Sequence, residues 1–277
     1  MSQNPFSLYD FLGYLIPGGV FLYLLYFCGV ALDWDMILQL AKFLKNQANI
    51  ISILDYASLI SAAYILGHFV AIASAFFIEK YMNETLEYPS IYLFSNINNN
   101  YKSNKKDTLS KKIKYIIIEL FLFPVVTLDF ITCKLLYSRD LPEKLATTLW
   151  DKIEKRFTTD LNVAQNQLSN IKGLDGDLFR LAYHYTYEHA SHHQGKIQNY
   201  VALYGFCRNI CFVMTIMFWI SVYAVFYNIF TDNYLYYSVL ALISTSVLLY
   251  VFYCGFVKFY RRFTLEVLMA FAVIKVS

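Results

Sequence analysis

Four long apolar runs constrain this chain more than any other feature of its sequence. They cover residues 11–32, 56–78, about 206–230 and about 234–257. Apart from tyrosine and cysteine, their ionisable side chains are His68 in the second run and Arg208 near the start of the third. A helix rises about 1.5 Å per residue and the hydrocarbon layer is about 30 Å thick, so each run is long enough to cross it. Charged residues make up 16% of the chain, too few for the surface of a soluble fold of this length.

Basic residues indicate the orientation of these predicted spans. Of the 23 lysines and arginines, 16 fall between Lys80 and Lys196. Lysine and arginine in short loops favour the cytoplasmic side. We therefore predict a multi-pass protein of a bacterial inner membrane, with both termini and the middle of the chain in the cytoplasm.

The predicted fold class is an all-α membrane protein with four transmembrane helices and a helical cytoplasmic domain inserted between helices two and three. The predicted parts are a transmembrane hairpin in 1–78 (helices at about 11–32 and 56–78), a cytoplasmic helical region in 79–200, a second transmembrane hairpin in 201–258, and a C-terminal cytoplasmic amphipathic helix in 259–277.

A fifth apolar segment, 113–136, is interrupted by charge and by proline. It carries Lys114, Glu119 and Asp129, and Pro124 stands in its middle. A carboxylate at the bilayer centre is costly, and proline removes a backbone hydrogen bond. We predict a broken helix that lies in the interface, packs under the bundle or re-enters the bilayer; whether it enters the bilayer stays open.

Residues 138–200 have the pattern of amphipathic helices. Leu145, Leu149, Ile153 and Phe157 recur at four-residue spacing among charged side chains. Gly173 and Gly176 indicate a turn. A second helix is predicted from Asp177 into the third apolar run without a break.

Four of the five histidines lie within ten residues, His184 to His193. On one continuous helix, His184, Glu188 and His192 would share a face at i, i+4 and i+8. Imidazole and carboxylate at this spacing can bind zinc or iron. The favoured interpretation is nevertheless a polar face of a cytoplasmic helix, because no second ligand cluster accompanies it.

A lysine-rich stretch, 98–114, precedes the broken segment and has six lysines against one acid, Asp107. Membrane contact with the anionic inner leaflet is the favoured role, with nucleic-acid or nucleotide phosphates and a flexible loop as alternatives. The predicted phosphate-contacting residues are Tyr101, Lys102, Lys105, Lys106, Lys111, Lys112 and Lys114.

Four residues near the predicted spans are candidates for a pore or gate. Pro17 and Gly18 are expected to kink helix one. His68 would line a pathway or bond to a neighbouring helix. Arg208 is expected at the cytoplasmic boundary of helix three, where it could reach lipid phosphates.

Sequence motifs of common enzymes do not occur. There is no Rossmann or Walker glycine motif, and five cysteines, mostly in apolar runs, do not suggest a disulfide framework. No catalytic residue and no cofactor are predicted.

The N-terminal sequence resembles the start of a loose group of bacterial inner-membrane proteins with a YD–x–x–GY–x–x–PG pattern before helix one. The residues that carry this resemblance are Asn4–Gly18, NPFSLYDFLGYLIPG, and the run Tyr200–Arg208, YVALYGFCR, has a similar character. Proteins of this layout resemble transmembrane effectors of bacterial phage defence, including the membrane component of the Hailong system. The resemblance implies a homo-oligomeric channel, for instance a tetramer, controlled by a nucleotide or oligonucleotide signal from a partner nucleotidyltransferase.

These observations together predict a gated pore that depolarises the membrane. Two alternatives remain open, a membrane-bound metal enzyme that uses the His184–His193 cluster and a non-catalytic membrane scaffold.

Overall fold

The computed structural model describes residues 8–39, 42, 53–97, 109–132, 136, 140–165, 168, 172–231 and 235–274. Within these residues the regular secondary structure is helical, and there is no strand. This part of the predicted fold class is confirmed.

Ten helices are labelled here in chain order. They are α1 (Phe11–Ala31), α2 (Ile53–Ser74), α3 (Lys80–Thr85), α4 (Pro89–Tyr92), α5 (Leu109–Phe121), α6 (Phe123–Thr132), α7 (Glu143–Thr159), α8 (Gly176–His189), α9 (Ser191–Thr231) and α10 (Leu235–Val273). The first five residues of α1, Phe11–Leu15, are π-helical, and a second π-helical segment, Ala75–Glu79, directly follows α2.

Four helical stretches in the described residues are long and apolar enough to cross a membrane. They are Phe11–Ala31, Tyr56–Tyr92, Ser191–Thr231 and Leu235–Val273, and each covers all or nearly all of one of the four apolar runs. The last two have 41 and 39 residues, roughly twice what a bilayer crossing requires. One expectation is corrected here, because α10 continues through residue 258 to Val273 and the C-terminal helix predicted from 259 is not a separate element.

The segment around Pro124 contains the predicted break. Helices α5 and α6 meet at Leu122 with a bend of 84°. Such a break frees backbone carbonyls, and the indole Nε1 of Trp219 donates to the carbonyl oxygen of Phe121 at 2.9 Å. The proline and this tryptophan together explain why the helix breaks at this point.

The chain forms two compact units. Unit one comprises 1–79, 121–128 and 205–256, and unit two comprises 80–120, 129–204 and 257–277. Two features of this division add to the predicted parts. Residues 121–128 belong to unit one, where the ring of Phe121 packs at a tilt against those of Phe77 and Phe212. Residues 257–277 belong with the residues inserted between α2 and α9.

Unit two has its own apolar core. Helix α7 buries Leu149, Ile153 and Phe157, as its spacing predicts, but Leu145 is partly exposed. The ring of Phe157 packs against Phe271 of α10 at 5.0 Å between centroids. The end of α10 therefore docks on α7, which explains why this segment is amphipathic.

Two glycines bring α1 and α2 into direct backbone contact in unit one. A Cβ atom on Gly18 would stand 1.8 Å from the carbonyl oxygen of Ala63, and one on Gly67 would stand 2.0 Å from that of Tyr14. No side chain fits at either position. Small residues at such contacts let membrane helices approach closely, and van der Waals contact then holds them together.

We expect Gly18→Ala to destabilise the protein, by about 1–3 kcal/mol or more, because the added methyl group must separate α1 from α2. The neighbouring Gly19 is the matched control, since a Cβ there meets nothing within 4 Å. Gly19→Ala should leave the thermal midpoint of the detergent-purified protein unchanged or raise it. Equal midpoints for the two variants would contradict the close contact.

Candidate functional site

A polar cluster inside unit one joins three helices and is the candidate site. It is built around two consecutive residues of α9, Arg208 and Asn209. Their partners are Ser74 and Glu79 from the end of the second span and the carbonyl group of Gly13 in α1. The side chains of Ser74 and Asn209 are almost fully buried.

Asn209 supplies a hydrogen bond that the backbone of α1 lacks. Pro17 has no N–H, so the α-helical donor to the carbonyl oxygen of Gly13, four residues earlier, is missing. The Nδ2 group of Asn209 donates to this oxygen at 2.6 Å. The helix is π-helical over Phe11–Leu15, just before Pro17. The kink expected at Pro17 and Gly18 stays a prediction.

The same amide binds the second span through its oxygen. The hydroxyl of Ser74 donates to Oδ1 of Asn209 at 2.5 Å and accepts from Nε of Arg208 at 3.2 Å. Ser74 immediately precedes the π-helical segment that ends at Glu79. Such π-helical turns occur often at functional sites.

Arg208 forms an ion pair with Glu79 through Nη1 and Oε2. The Arg208 side chain is 12% exposed and that of Glu79 is 26% exposed, so water screens the pair only partly. This arrangement differs from the expectation that Arg208 extends to lipid phosphates. Its guanidinium group instead turns towards the protein.

Ser74, Glu79 and Asn209 are the site residues that sequence reasoning missed. The predicted topology contained a signal for Glu79, because it places the end of the second span and the start of the third on the same side of the membrane. An acid at one end and a base at the other are then placed at similar depth. Asn209 had no comparable signal, since its role depends on the carbonyl group that Pro17 leaves without a donor.

His68 lies in an aromatic cluster of unit one, next to the glycine contact. Its ring stacks on Tyr14 at 3.9 Å between centroids and meets the edge of Tyr64 at 4.6 Å. The hydroxyl of Tyr14 donates to that of Tyr9 at 3.5 Å. Of the predicted gate residues, Pro17, Gly18 and His68 are therefore near one another at the α1–α2 contact.

The three predicted metal ligands do not share a helix face. Helix α8 ends at His189, Ala190 leaves the helical conformation, and α9 begins at Ser191. The prediction of one unbroken helix was wrong, so His192 does not follow His184 and Glu188 on the same face. All three side chains are exposed, and the described part of the chain contains no group of three His, Cys, Asp or Glu side chains that could hold a metal.

A different histidine of that run makes a specific contact in unit two. Nδ1 of His193 lies 2.8 Å from Oε1 of Glu266 in α10, and Nζ of Lys196 lies 3.6 Å from the same oxygen. This arrangement connects the start of α9 to the last part of α10. Sequence reasoning identified the histidine-rich run but not this residue, because Glu266 is distant in the chain.

The lysine-rich stretch is described in part. Tyr101, Lys102, Lys105 and Lys106 lie outside the described residues. Lys111, Lys112 and Lys114 belong to helix α5, and their side chains are outside the description. Phosphate contact by these residues stays a prediction.

The fold and this site define an all-helical chain, over the described residues, that is consistent with a multi-pass membrane protein. Comparison with family models, with curated proteins and with solved structures finds no match.

We expect Arg208→Gln to destabilise the protein by about 2 kcal/mol or more, because Glu79 would keep a poorly solvated charge without its partner. The double variant E79Q/R208Q should lose less stability than the sum of the two single variants. Thermal midpoints in detergent measure both effects.

The control is Arg180→Gln in unit two, where Arg180 and Asp177 form an exposed pair, with side chains 74% and 97% exposed. That variant should change the midpoint little. Additive losses in the double variant would contradict the assigned ion pair.

Proposed function

We propose that this chain is an oligomeric, gated pore of a bacterial inner membrane that depolarises the cell in defence against phage. In this proposal unit two lies on the cytoplasmic side and receives a nucleotide or oligonucleotide signal or a partner protein. The protein needs no cofactor and has no catalytic residue of its own. The resemblance of the N-terminal sequence to phage-defence effectors supports this choice over other kinds of channel.

The observation that carries the proposal is the polar cluster around Arg208 and Asn209. It joins three of the four candidate spans at positions where two of them are π-helical. A π-helical turn can return to α-helical geometry with a shift of register, and an ion pair has discrete made and broken states. A small displacement of α9 would therefore change the contacts of α1 and of the second span together.

Chain continuity offers a route by which a signal could act on this cluster. Helix α9 is a single helix from Ser191 to Thr231, and it contributes residues to both units. Its first turns contain His193, which binds Glu266, and Arg208 follows farther along the same helix. A ligand that alters the contacts of the first turns would act on a helix that also holds the gate.

The proposed orientation follows from the basic residues. We expect a fluorescent protein fused after Ser277 to fold and fluoresce, because that terminus would lie in the cytoplasm, and alkaline phosphatase fused at the same place to be inactive. The reverse pair of results would contradict the orientation and with it the cytoplasmic receptor.

The pore is tested by conductance of the purified full-length protein in planar bilayers. We expect ion currents that an added nucleotide or oligonucleotide either increases or decreases. E79Q and R208Q should uncouple conductance from the signal, whereas R180Q should behave like the wild type.

Protein that is correctly folded by gel filtration but gives silent bilayers with mononucleotides, cyclic nucleotides and oligonucleotides would overturn the pore. Membrane recruitment of a soluble partner by the same protein would then favour the scaffold alternative. Currents that still depend on the signal in E79Q and R208Q would support the pore but would contradict the polar cluster as its gate.

A further inference from the structure

Helix α5 (Leu109–Phe121) has an apolar stripe that faces away from the protein. Its members are Ile113, Ile116, Ile117 and Leu120, at i, i+3, i+4 and i+7. Each of these side chains is 52% to 64% exposed. Four large aliphatic side chains on one helix face constitute a patch that a water-exposed helix would not maintain.

The opposite side of α5 is anchored in unit two, which sets the direction of the stripe. Ile118 is 1% exposed. Tyr115 is half-buried. Because these residues occupy the inward face, rotation of α5 about its axis cannot bury the stripe.

The positive charge at the N-terminal end of α5 is unfavourable beside the positive end of the helix dipole. Lys111 and Lys112 stand in its first turn, where there is no acidic residue, and Lys114 follows. Cations are unfavourable at the positive end of the helix dipole, whereas anions are favourable there. A surface that carries negative charge would reverse this penalty.

We propose that α5 lies along the membrane surface as a binding element for anionic lipid. The isoleucines and Leu120 enter the boundary between headgroups and acyl chains. Lys112 and Lys114, which helical periodicity places at the two edges of the stripe, bind lipid phosphates. Lysine flanking an apolar stripe is the pattern of interfacial amphipathic helices. The bilayer is the occupant that fits best, because the same chain contains four helices able to cross it.

The bend after α5 agrees with this placement. Helix α6 leaves α5 at 84°, so the two helices cannot form one straight crossing. The α5 segment of the bent pair, Tyr115–Phe121, has seven residues and would rise only about 10 Å, a third of the hydrocarbon thickness. A surface position for α5 leaves its lysines at the level of the phosphates.

The test places the photo-crosslinking residue p-benzoylphenylalanine at Ile117 of the full-length protein in nanodiscs. The discs contain equimolar phosphatidylcholine and phosphatidylglycerol, and mass spectrometry identifies the adducts. Ile243 of α10, 56% exposed within a candidate span, is the lipid-facing reference, and Asp151 of α7, exposed in unit two, is the aqueous reference.

We expect lipid adducts at Ile117 and Ile243 and none at Asp151. The ratio of phosphatidylglycerol to phosphatidylcholine adducts at Ile117 should exceed that at Ile243 several-fold, since each lysine near an anionic surface contributes about fivefold. The variant K112Q/K114Q should reduce the ratio to the Ile243 value. If that variant does not fold, added salt should lower the adduct ratio of the protein with its native lysines, because salt screens their attraction to anionic lipid.

Adducts at Ile117 to a second copy of the chain would assign the stripe to an interface between copies and overturn the proposal. Absence of lipid adducts there would overturn it as well, and so would a ratio equal to that at Ile243. This inference does not depend on the proposed pore, because the crosslinking reports lipid contact whether or not the bilayers conduct.

Discussion

The side-chain amide of Asn209 replaces a backbone donor that Pro17 removes, and the architecture of unit one depends on this replacement. One buried carbonyl group without a donor would cost α1 stability in an apolar surrounding. Because α9 supplies the missing N–H, the two helices must remain in register. The oxygen of the same amide binds Ser74, so one side chain positions both neighbours of α9.

In a bilayer, apolar burial would not drive the helices of unit one together, so close packing and hydrogen bonds would have to hold them. The backbone contact of α1 with α2 at Gly18 and Gly67 gives close van der Waals packing. The stack of Tyr14 and His68 lies beside it. Unit one thus combines these polar and glycine contacts with buried apolar side chains such as Val213 and Leu249, whereas in unit two Leu149, Ile153 and Phe157 belong to an apolar core.

Helices α5 and α9 would have different roles: α9 would transmit a displacement within the protein, and α5 would contact the membrane surface. Helix α9 carries the Arg208–Glu79 pair and contributes to both units, which suits a part that transmits displacement. Helix α5 presents an aliphatic stripe and a basic end, which suits a part that reports the charge of the membrane surface. A pore that responds to a cytoplasmic signal and a helix that reads anionic lipid are compatible in one chain.

The sequence alone determined where the four candidate spans lie, because a run of apolar residues long enough to cross a bilayer can be read without any partner. It also determined the break near Pro124 and the helix of α7, since proline chemistry and helical periodicity are local. Only the tertiary structure decided that Asn209 completes the hydrogen bonding of α1 and that Glu79 pairs with Arg208. It also decided that His193 rather than His192 makes the specific contact. These contacts join residues more than 70 positions apart, and their energy comes from burial and from matched donors and acceptors, which no local pattern encodes.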